Sequence, residues 1–278
     1  MKIDFHTHVT PPDIIADWQK YACKESYFSA LSRAKYNKFA EAEDVIAALE
    51  QDENFKFDKA VIFGFAFRDE GLCRYVNDYV IEKVKEHPEK LIGFCVVSPG
   101  KKAGREIERC YNAGLKGAGE LFPQCFDLEN KKATGTVTGA CKELALPLLL
   151  HTNEPLGHVY PGKSDITPKK IEAFVTDNQD INIILAHWGG GIFIYESMKE
   201  ISDSFKNVYY DTAITPFLYD ARIYRAAKAL GLIGKILFGT DFPILPHSRY
   251  KEALVQSSLS DEDIKLITGG NAERLLCL

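Results

Sequence analysis

The sequence predicts a single-domain α/β protein folded as a (β/α)8 TIM barrel, with a helical, aromatic-rich insert after the first strand. Eight short apolar runs recur along the 278 residues, and longer amphipathic segments alternate with them. Eight is the strand number of a closed parallel barrel, and this chain length is typical of one barrel domain. No low-complexity linker divides the chain, so residues 1–278 are expected to form one domain.

The apolar runs predict the strands in chain order. They cover residues 2–9, 59–65, 91–97, 115–121, 146–151, 181–187, 208–211 and 236–241. The helical segments are 41–52, 73–86, 103–112, 136–144, 168–177, 193–201, 219–230 and 250–257. Two helix starts carry clear signals: Thr167 precedes Pro168, and Ser260 precedes three acidic residues.

The insert, residues 10–40, interrupts this alternation. Its aromatic residues are Trp18, Tyr21, Tyr27, Phe28, Tyr36 and Phe39. This density suits a lid over the barrel mouth or a subunit contact, and it equally suits extra helices packed on the barrel. The sequence leaves these alternatives open.

Composition excludes several classes of function. The net charge is −5 and no long run of Lys or Arg occurs, so nucleic acid is not an expected partner. The seven cysteines are scattered without a C-x-x-C pair, which indicates neither a disulfide scaffold nor a thiolate zinc site. The first residues lack the apolar core of a signal peptide, and no stretch approaches ~20 apolar residues. We therefore expect a soluble, cytoplasmic protein with no membrane partner.

His6 and His8 are the first candidate metal ligands. They are two residues apart on an apolar strand, so both imidazoles project from the same face. Burying such a pair costs desolvation free energy, and a bound cation is a natural reason for placing it inside a barrel. An isolated H-x-H motif is only moderately specific, since solvated or core histidines also produce it.

Four more ionisable residues end other strands. Glu120 closes the fourth run, His151 the fifth, His187 the sixth and Asp241 the eighth. Barrel active sites are built at these carboxyl ends, so the six side chains are expected to converge. Each has a structural alternative: a cap for Asp241, a salt bridge to the helix layer for Glu120, and a satisfied core histidine for His151 or His187.

These segments resemble a known family. The shared motifs are IDFHTH (3–8), GAGEL (117–121), LHTNEP (150–155), AHWGG (186–190) and FGTDFP (238–243), with the ending GNAERLL (270–276). Together they resemble the amidohydrolase superfamily, in particular its aminocarboxymuconate-semialdehyde-decarboxylase-like branch, which includes predicted TIM-barrel metal-dependent hydrolases. The resemblance spans nearly the whole chain and is weakest in the insert.

The resemblance implies a divalent metal held by His6, His8, His151 and Asp241, with zinc as the preferred ion. Imidazole nitrogens with a carboxylate suit zinc, and an open position allows it to acidify water. Glu120 departs from the simplest one-metal pattern, so we expect one tight ion that Glu120 contacts directly; a hydrogen bond from Glu120 to a ligand imidazole is the alternative. A second, weaker ion shared with His151 and His187 remains open.

The catalytic candidates are Asp241, as the proton carrier, and His187, as a hydrogen-bond donor to water or substrate. For substrate binding, the candidates are Arg68 beyond the second strand and His158, Tyr160 and Lys163 in the loop after the fifth. Solvated loop residues are an equal alternative for each. The glycines at 189–191 match no phosphate-binding fingerprint and more simply allow close backbone approach beside His187.

The sequence favours hydrolysis of a small amide, lactone or ester by a metal-activated water. The alternative is a lyase, either a non-oxidative decarboxylase or a hydratase, on the same metal site; an Arg near the metal would favour it. A non-catalytic metal-binding protein is the third hypothesis. The expected partner is a small-molecule substrate, and the family resemblance is compatible with a homodimer.

Overall fold

Eight parallel strands form one sheet in the order β1 to β8, which confirms the predicted barrel. The computed structural model describes residues 1–35 and 38–278, so Tyr36 of the insert lies outside the described residues. The strands are β1 Ile3–His8, β2 Lys59–Phe63, β3 Leu91–Cys95, β4 Gly117–Leu121, β5 Leu148–Leu150, β6 Ile183–Leu185, β7 Val208–Asp211 and β8 Ile236–Leu237.

Backbone hydrogen bonds between β1 and the segment after β8 close the barrel. The amide of Phe5 donates to the carbonyl of Phe238 at 2.7 Å, and the amide of Asp241 donates to the carbonyl of His6 at 2.8 Å. Regular strand structure at β8 covers only two of the six residues predicted for it. The rest of the predicted strand, residues 238–241, still follows β1 through these individual bonds.

Helices surround the sheet and form the insert. They are α1 Pro12–Ala16, α2 Trp18–Ala22, α3 Ser26–Ser32, α4 Ala42–Glu50, α5 Glu70–Glu86, α6 Ala103–Asn112, α7 Lys131–Glu143, α8 Pro168–Asp177, α9 Ala186–Gly189, α10 Lys199–Ser204, α11 Thr215–Leu218, α12 Arg222–Ala229, α13 Ser248–Gln256, α14 Asp261–Lys265 and α15 Asn271–Leu276. Both predicted caps form, because Thr167 and Ser260 each accept a backbone N–H of the helix that follows.

The predicted helix over 193–201 is two shorter elements. A 3₁₀ segment, Ile192–Ser197, is followed by α10, and Met198 between them has an extended ψ of 129°. No helix of the described residues is long and apolar enough to cross a membrane.

The core lies between the strands and the helix layer, and all six residues of β1 are buried. The insert packs into it through aromatic contacts. Phe28 of α3 packs edge-on against Phe65 and Phe67, with ring centroids 5.4 and 5.2 Å away. The insert is therefore attached to the segment that follows β2, at the end of the barrel where strands carry ionisable residues.

Candidate metal centre

β1 places two imidazoles side by side inside the barrel. His6 and His8 leave the strand on the same face, as their spacing requires. Their Nε2 atoms lie 3.4 Å apart, and both side chains are buried. Two ring nitrogens are thus directed at one point.

Asp241 approaches the same point across the barrel closure. Its Oδ1 atom is 3.3 Å from Nε2 of His8 and 3.7 Å from Nε2 of His6. Asp241 lies in the left-handed region at φ 61°, which Asp tolerates better than most residues. His6, His8 and Asp241 form one compact group of buried donor atoms.

Glu120 of β4 stands between two pairs of histidines. Its Oε2 atom is 3.3 Å from Nε2 of His8 and 3.6 Å from Nε2 of His6. Its Oε1 atom is 2.9 Å from Nδ1 of His151 and 3.4 Å from Nε2 of His187. The carboxylate faces the barrel interior and not the helix layer, so the salt-bridge alternative does not describe its contacts.

His151 and His187 form the second half of the cluster. Nε2 of His187 lies 3.3 Å from Nδ1 of His151. The other ring nitrogen of His187 faces the carbonyl oxygen of Ala213 at 3.3 Å, so a proton on Nδ1 would be donated there and Nε2 would be free to accept. His187 therefore lies among the candidate ligands as well as beside the substrate space.

The donor spacing fits a metal ion. Tetrahedral zinc with ligands at ~2.0–2.1 Å separates neighbouring donors by roughly 3.3–3.4 Å. The distances of His6 and His8 Nε2 from each other, from Asp241 Oδ1 and from Glu120 Oε2 range from 3.3 to 3.7 Å. In addition, Nε2 of His151 is buried and has no hydrogen-bond partner among the described residues. Nitrogen and carboxylate donors converge here as a divalent cation requires.

Mutual attraction controls the pKa values of this cluster. Burial lowers the pKa of His6, but Asp211 and Glu120 outweigh burial and raise it well above its usual value. Burial raises the pKa of Glu120, yet His6 and His151 hold it well below its usual value. The pKa of His187 rises to about 9, because Glu120 outweighs the effect of burial. A site that stabilises protons beside ionised carboxylates will also stabilise a divalent cation that replaces those protons.

Asp211, at the end of β7, orients the cluster and was not proposed from the sequence. Its Oδ2 atom lies 2.8 Å from Nδ1 of His6. Its Oδ1 atom accepts the backbone N–H groups of His187 at 2.9 Å and Ala213 at 3.0 Å. A carboxylate on the second nitrogen of a metal-binding imidazole fixes the tautomer and the ring orientation. The signal was available, because Asp211 ends a predicted strand as the proposed ligands do.

The Asp4 side chain links β1 to the segment after β8. Its Oδ1 atom accepts the backbone N–H of His6 at 3.2 Å and of Thr240 at 3.0 Å. Its Oδ2 atom accepts the Thr240 hydroxyl at 2.5 Å and lies 2.9 Å from Nε2 of His247. One buried carboxylate thus connects β1, which carries two candidate ligands, to the segment that carries Asp241.

The chain turns sharply at His187. His187 and Trp188 have φ values of 55° and 60°, and Trp188 donates from Nε1 to Thr215 Oγ1 at 2.7 Å. A Cβ atom at Gly190 would lie 2.2 Å from the carbonyl oxygen of Asn153. Glycine is therefore required for the close backbone approach, which agrees with the interpretation of the glycine run.

A cavity of about 350 Å³ is lined by five of the six donor residues, all except His6. Most other lining side chains are apolar; they are Tyr27, Leu31, Phe65, Phe122, Pro161, Ile214, Phe217, Leu218, Pro243 and Ile244. The insert supplies Tyr27, Leu31 and Lys38 to this lining. Volume and composition are those of a site for a small, largely apolar molecule.

Two of the four candidate substrate-binding residues line this cavity. His158 and Tyr160 do, whereas Arg68 and Lys163 do not. The Arg68 guanidinium donates to the carbonyl of Gln124 at 2.9 and 3.3 Å. Lys163 donates to two carbonyl groups of its own loop. Backbone carbonyl groups thus bind the side chains of both Arg68 and Lys163. The spacing of residues in the sequence could not indicate these contacts.

An eight-stranded parallel barrel with imidazole and carboxylate donors at its strand ends defines a metal-dependent barrel enzyme. The chain belongs to the amidohydrolase family, whose profile matches residues 3–278. This confirms the family that the motifs predicted and makes the protein an enzyme of the amidohydrolase superfamily, in which both hydrolases and lyases occur. No curated protein sequence matches the chain.

Solved structures share the fold. 5-Carboxyvanillate decarboxylase from Sphingomonas paucimobilis superposes with a TM-score of 0.76 at 16% identity, covering 100% of this chain and 99% of that one. A probable 2-pyrone-4,6-dicarboxylic acid hydrolase from Acinetobacter baumannii gives 0.67 at 16% identity, with 100% and 99% covered. Dihydroxybenzoic acid decarboxylase from Polaromonas sp. JS666 gives 0.70 at 17% identity, with 100% and 97% covered, and contains manganese.

These identities establish a common fold. A divalent metal fits both the family and the donor set described above. The manganese in one neighbour means that the fold does not by itself select zinc.

Proposed function

We propose that the protein is a hydrolase that uses a metal-activated water on a small, mainly apolar amide, ester or lactone. One observation carries this proposal: three histidines and two carboxylates of the donor cluster line a mainly apolar cavity of about 350 Å³. The cluster supplies the ligands, and the cavity accommodates the non-reacting part of the substrate.

His6, His8 and Asp241, with Oε2 of Glu120, would hold the tight ion. Oε1 of Glu120, with His151 and His187, would hold a weaker second ion. A bound divalent cation would polarise the substrate carbonyl and lower the pKa of water toward ~7. We propose zinc, because imidazole with carboxylate suits it, and manganese is the alternative.

Asp241 is the proposed general base. Burial raises its pKa, but His6 and His8 outweigh burial, so its pKa lies below the usual value and the group is ionised at neutral pH. It would accept the proton of the attacking water and return it to the leaving group. When only the tight site is filled, His187 would donate a hydrogen bond to the developing oxyanion.

The cavity lining favours hydrolysis over decarboxylation. A decarboxylase must bind a substrate carboxylate, and no arginine is present among the described residues that line the cavity. Decarboxylation or hydration remains the alternative function because one cation, Lys38 of the insert, does line it. Lys38 therefore distinguishes the two activities: Lys38→Met should leave hydrolysis of a neutral ester nearly unchanged and should abolish any decarboxylation.

The metal assignment is tested by metal content. Purified protein loaded with zinc should retain about one tight equivalent, and His6→Ala/His8→Ala should lose it. His158→Ala is the control, because this side chain lines the cavity without belonging to the donor cluster. Full metal content in the double variant would contradict the assignment of His6 and His8 as metal ligands.

The activity is tested with two matched readouts. Neutral esters, lactones and anilides are assayed by proton release, and carboxylated aromatics by release of carbon dioxide. Hydrolysis that disappears on chelation and returns with metal supports the proposal. Carbon dioxide release without any ester, lactone or amide cleavage would contradict the hydrolase proposal and favour the decarboxylase alternative.

A further inference from the structure

A second cavity, of about 390 Å³, lies on the outside of the barrel between α5 and α6. It shares no lining residue with the metal centre or its cavity. We call it the α5–α6 groove. Its charged lining residues are Glu70, Arg74, Lys102, Arg105, Glu106 and Arg109.

Two ion pairs neutralise both acids of the groove. Lys102 Nζ lies 2.8 Å from Glu70 Oε2. Arg109 donates to the two carboxylate oxygens of Glu106 at 2.6 and 2.9 Å. Burial raises the pKa of Glu106, but Arg109 outweighs burial and the pKa falls below its usual value. Both acids are therefore ionised and already paired.

Arg74 and Arg105 remain without such partners. Both side chains are exposed, and neither guanidinium group forms a hydrogen bond or an ion pair with a residue that the structure describes. Asp78, outside the lining, also lies 2.7 Å from Arg109, so four cations face three carboxylates, and the net positive charge of the groove is carried by these two guanidinium groups. Each presents a planar fork of N–H donors, which matches carboxylate or phosphate oxygens in a bidentate manner.

The groove has a floor, which distinguishes it from two arginines on a flat surface. Cys73, Val97 and Ala103 line it and are buried, with exposed fractions of 1%, 2% and 3%. Ser98, at the end of the same floor, adds a hydroxyl group to the lining. A small molecule could therefore lie between the two arginines with part of its surface removed from water.

We propose that the α5–α6 groove binds a small dianion, such as a phosphate monoester or a dicarboxylate, between Arg74 and Arg105. The two negative charges of such a ligand match the two guanidinium groups that have no ion-pair partner, and no metal ion is involved. This site is independent of the proposed hydrolysis, because none of its residues belongs to the metal centre.

Calorimetric titration of the metal-loaded full chain tests the proposal. The probes are inorganic phosphate, glycerol phosphate, malonate and chloride. A dianion should bind with a Kd of about 1 mM or tighter at low salt, and chloride should not compete at the same concentration. Phosphate and malonate compared at equal concentration decide which dianion is preferred.

Variants locate the binding. Arg74→Gln/Arg105→Gln should weaken dianion binding at least tenfold. Arg225→Gln/Arg249→Gln removes the same charge from two exposed arginines elsewhere and should leave binding unchanged. His6→Ala/His8→Ala should also bind normally, which excludes phosphate coordination at the metal centre. Thermal unfolding of each variant shows that it is folded.

Three results would overturn the proposal. They are no saturable binding up to ~10 mM, equal affinity in Arg74→Gln/Arg105→Gln and wild type, or loss of binding in His6→Ala/His8→Ala. Failure of the hydrolase assay alone would not affect the site, since this titration needs no turnover.

Discussion

Replacing Asp211 by asparagine tests how the barrel fixes the tautomer of His6. Asp211 is fully buried; one oxygen accepts the amides of His187 and Ala213, and the other lies 2.8 Å from Nδ1 of His6. Asparagine offers one carbonyl oxygen and one NH₂ group. The two backbone donors require the oxygen on their side, so the NH₂ group must face His6.

The proton on His6 then moves to the other nitrogen. Nδ1 has to accept the hydrogen bond from the amide, which puts the proton on Nε2. Nε2 is the atom that faces His8, Glu120 and Asp241, and a protonated nitrogen cannot bind a metal. We expect the tight ion to bind ~10- to 100-fold more weakly in Asp211→Asn, as is typical when such a supporting carboxylate is lost.

The pH dependence distinguishes this mechanism from general damage. Asp211 also raises the pKa of His6, so in wild type a proton competes with the metal below that raised pKa. Asparagine lowers the pKa of His6 and weakens this competition. The variant therefore regains part of its lost metal affinity at low pH. Above the raised pKa, only the tautomer effect remains. The ratio of wild-type to variant affinity should therefore grow as pH rises.

The assay is competition for zinc against a chelator of known affinity, between about pH 6 and 9. Asp203→Asn is the control, because it removes a charge from an exposed side chain. Equal affinity of Asp211→Asn and wild type across this range would refute the reasoning. A constant ratio would show that the charge of Asp211 does not control proton competition at His6.

Three further predictions concern the cluster. Glu120→Gln should lose the second ion and keep the first at His6 and His8, measured as metal per chain at saturating zinc; equal loss of both ions would mean that Glu120 does not bridge two sites. His187→Asn should keep the tight ion while the hydrolytic rate falls by ~100-fold or more, and parallel loss of metal and rate would place His187 in the tight site. Because the pKa values of His6 and His8 are raised and that of His187 is about 9, zinc loading near neutral pH should release protons, and apparent affinity should rise up to about pH 9. Loading of weakly buffered protein without acidification would contradict this.

The barrel and most of the centre could be predicted because strand order and strand ends are local properties of the sequence. Glu120, His151 and His187 each end an apolar run, and parallel strands bring such ends to one face. Two-residue spacing likewise defined the shared direction of His6 and His8.

Supporting residues were harder to predict. Asp211 acts through a contact to His6 on a distant strand, and Asp4 through contacts to Thr240. Both look like ordinary strand acids in the sequence. Their roles depend on which strands become neighbours at closure, which only the folded barrel determines.

Loop side chains could not be assigned from spacing. Arg68 and Lys163 are long and flexible, and each satisfies its donors on nearby carbonyl groups. The final strand was predicted too long, because residues 238–241 follow β1 only through individual hydrogen bonds. Gly239 packs closely against β1, where a Cβ atom would lie 2.7 Å from Cβ of His6.

The closure between β1 and the segment after β8 determines when the tight site can exist. His8 and Asp241 face each other at 3.3 Å, yet His8 ends the first strand and Asp241 lies in the segment after the last one. During synthesis β1 leaves the ribosome long before β8, and contacts between distant segments form late in folding. A nascent chain therefore carries histidines without the carboxylate that completes their group. With the proposed ligands, full metal affinity is restricted to chains that have closed the barrel, so metal retention should distinguish finished molecules from truncated or trapped ones.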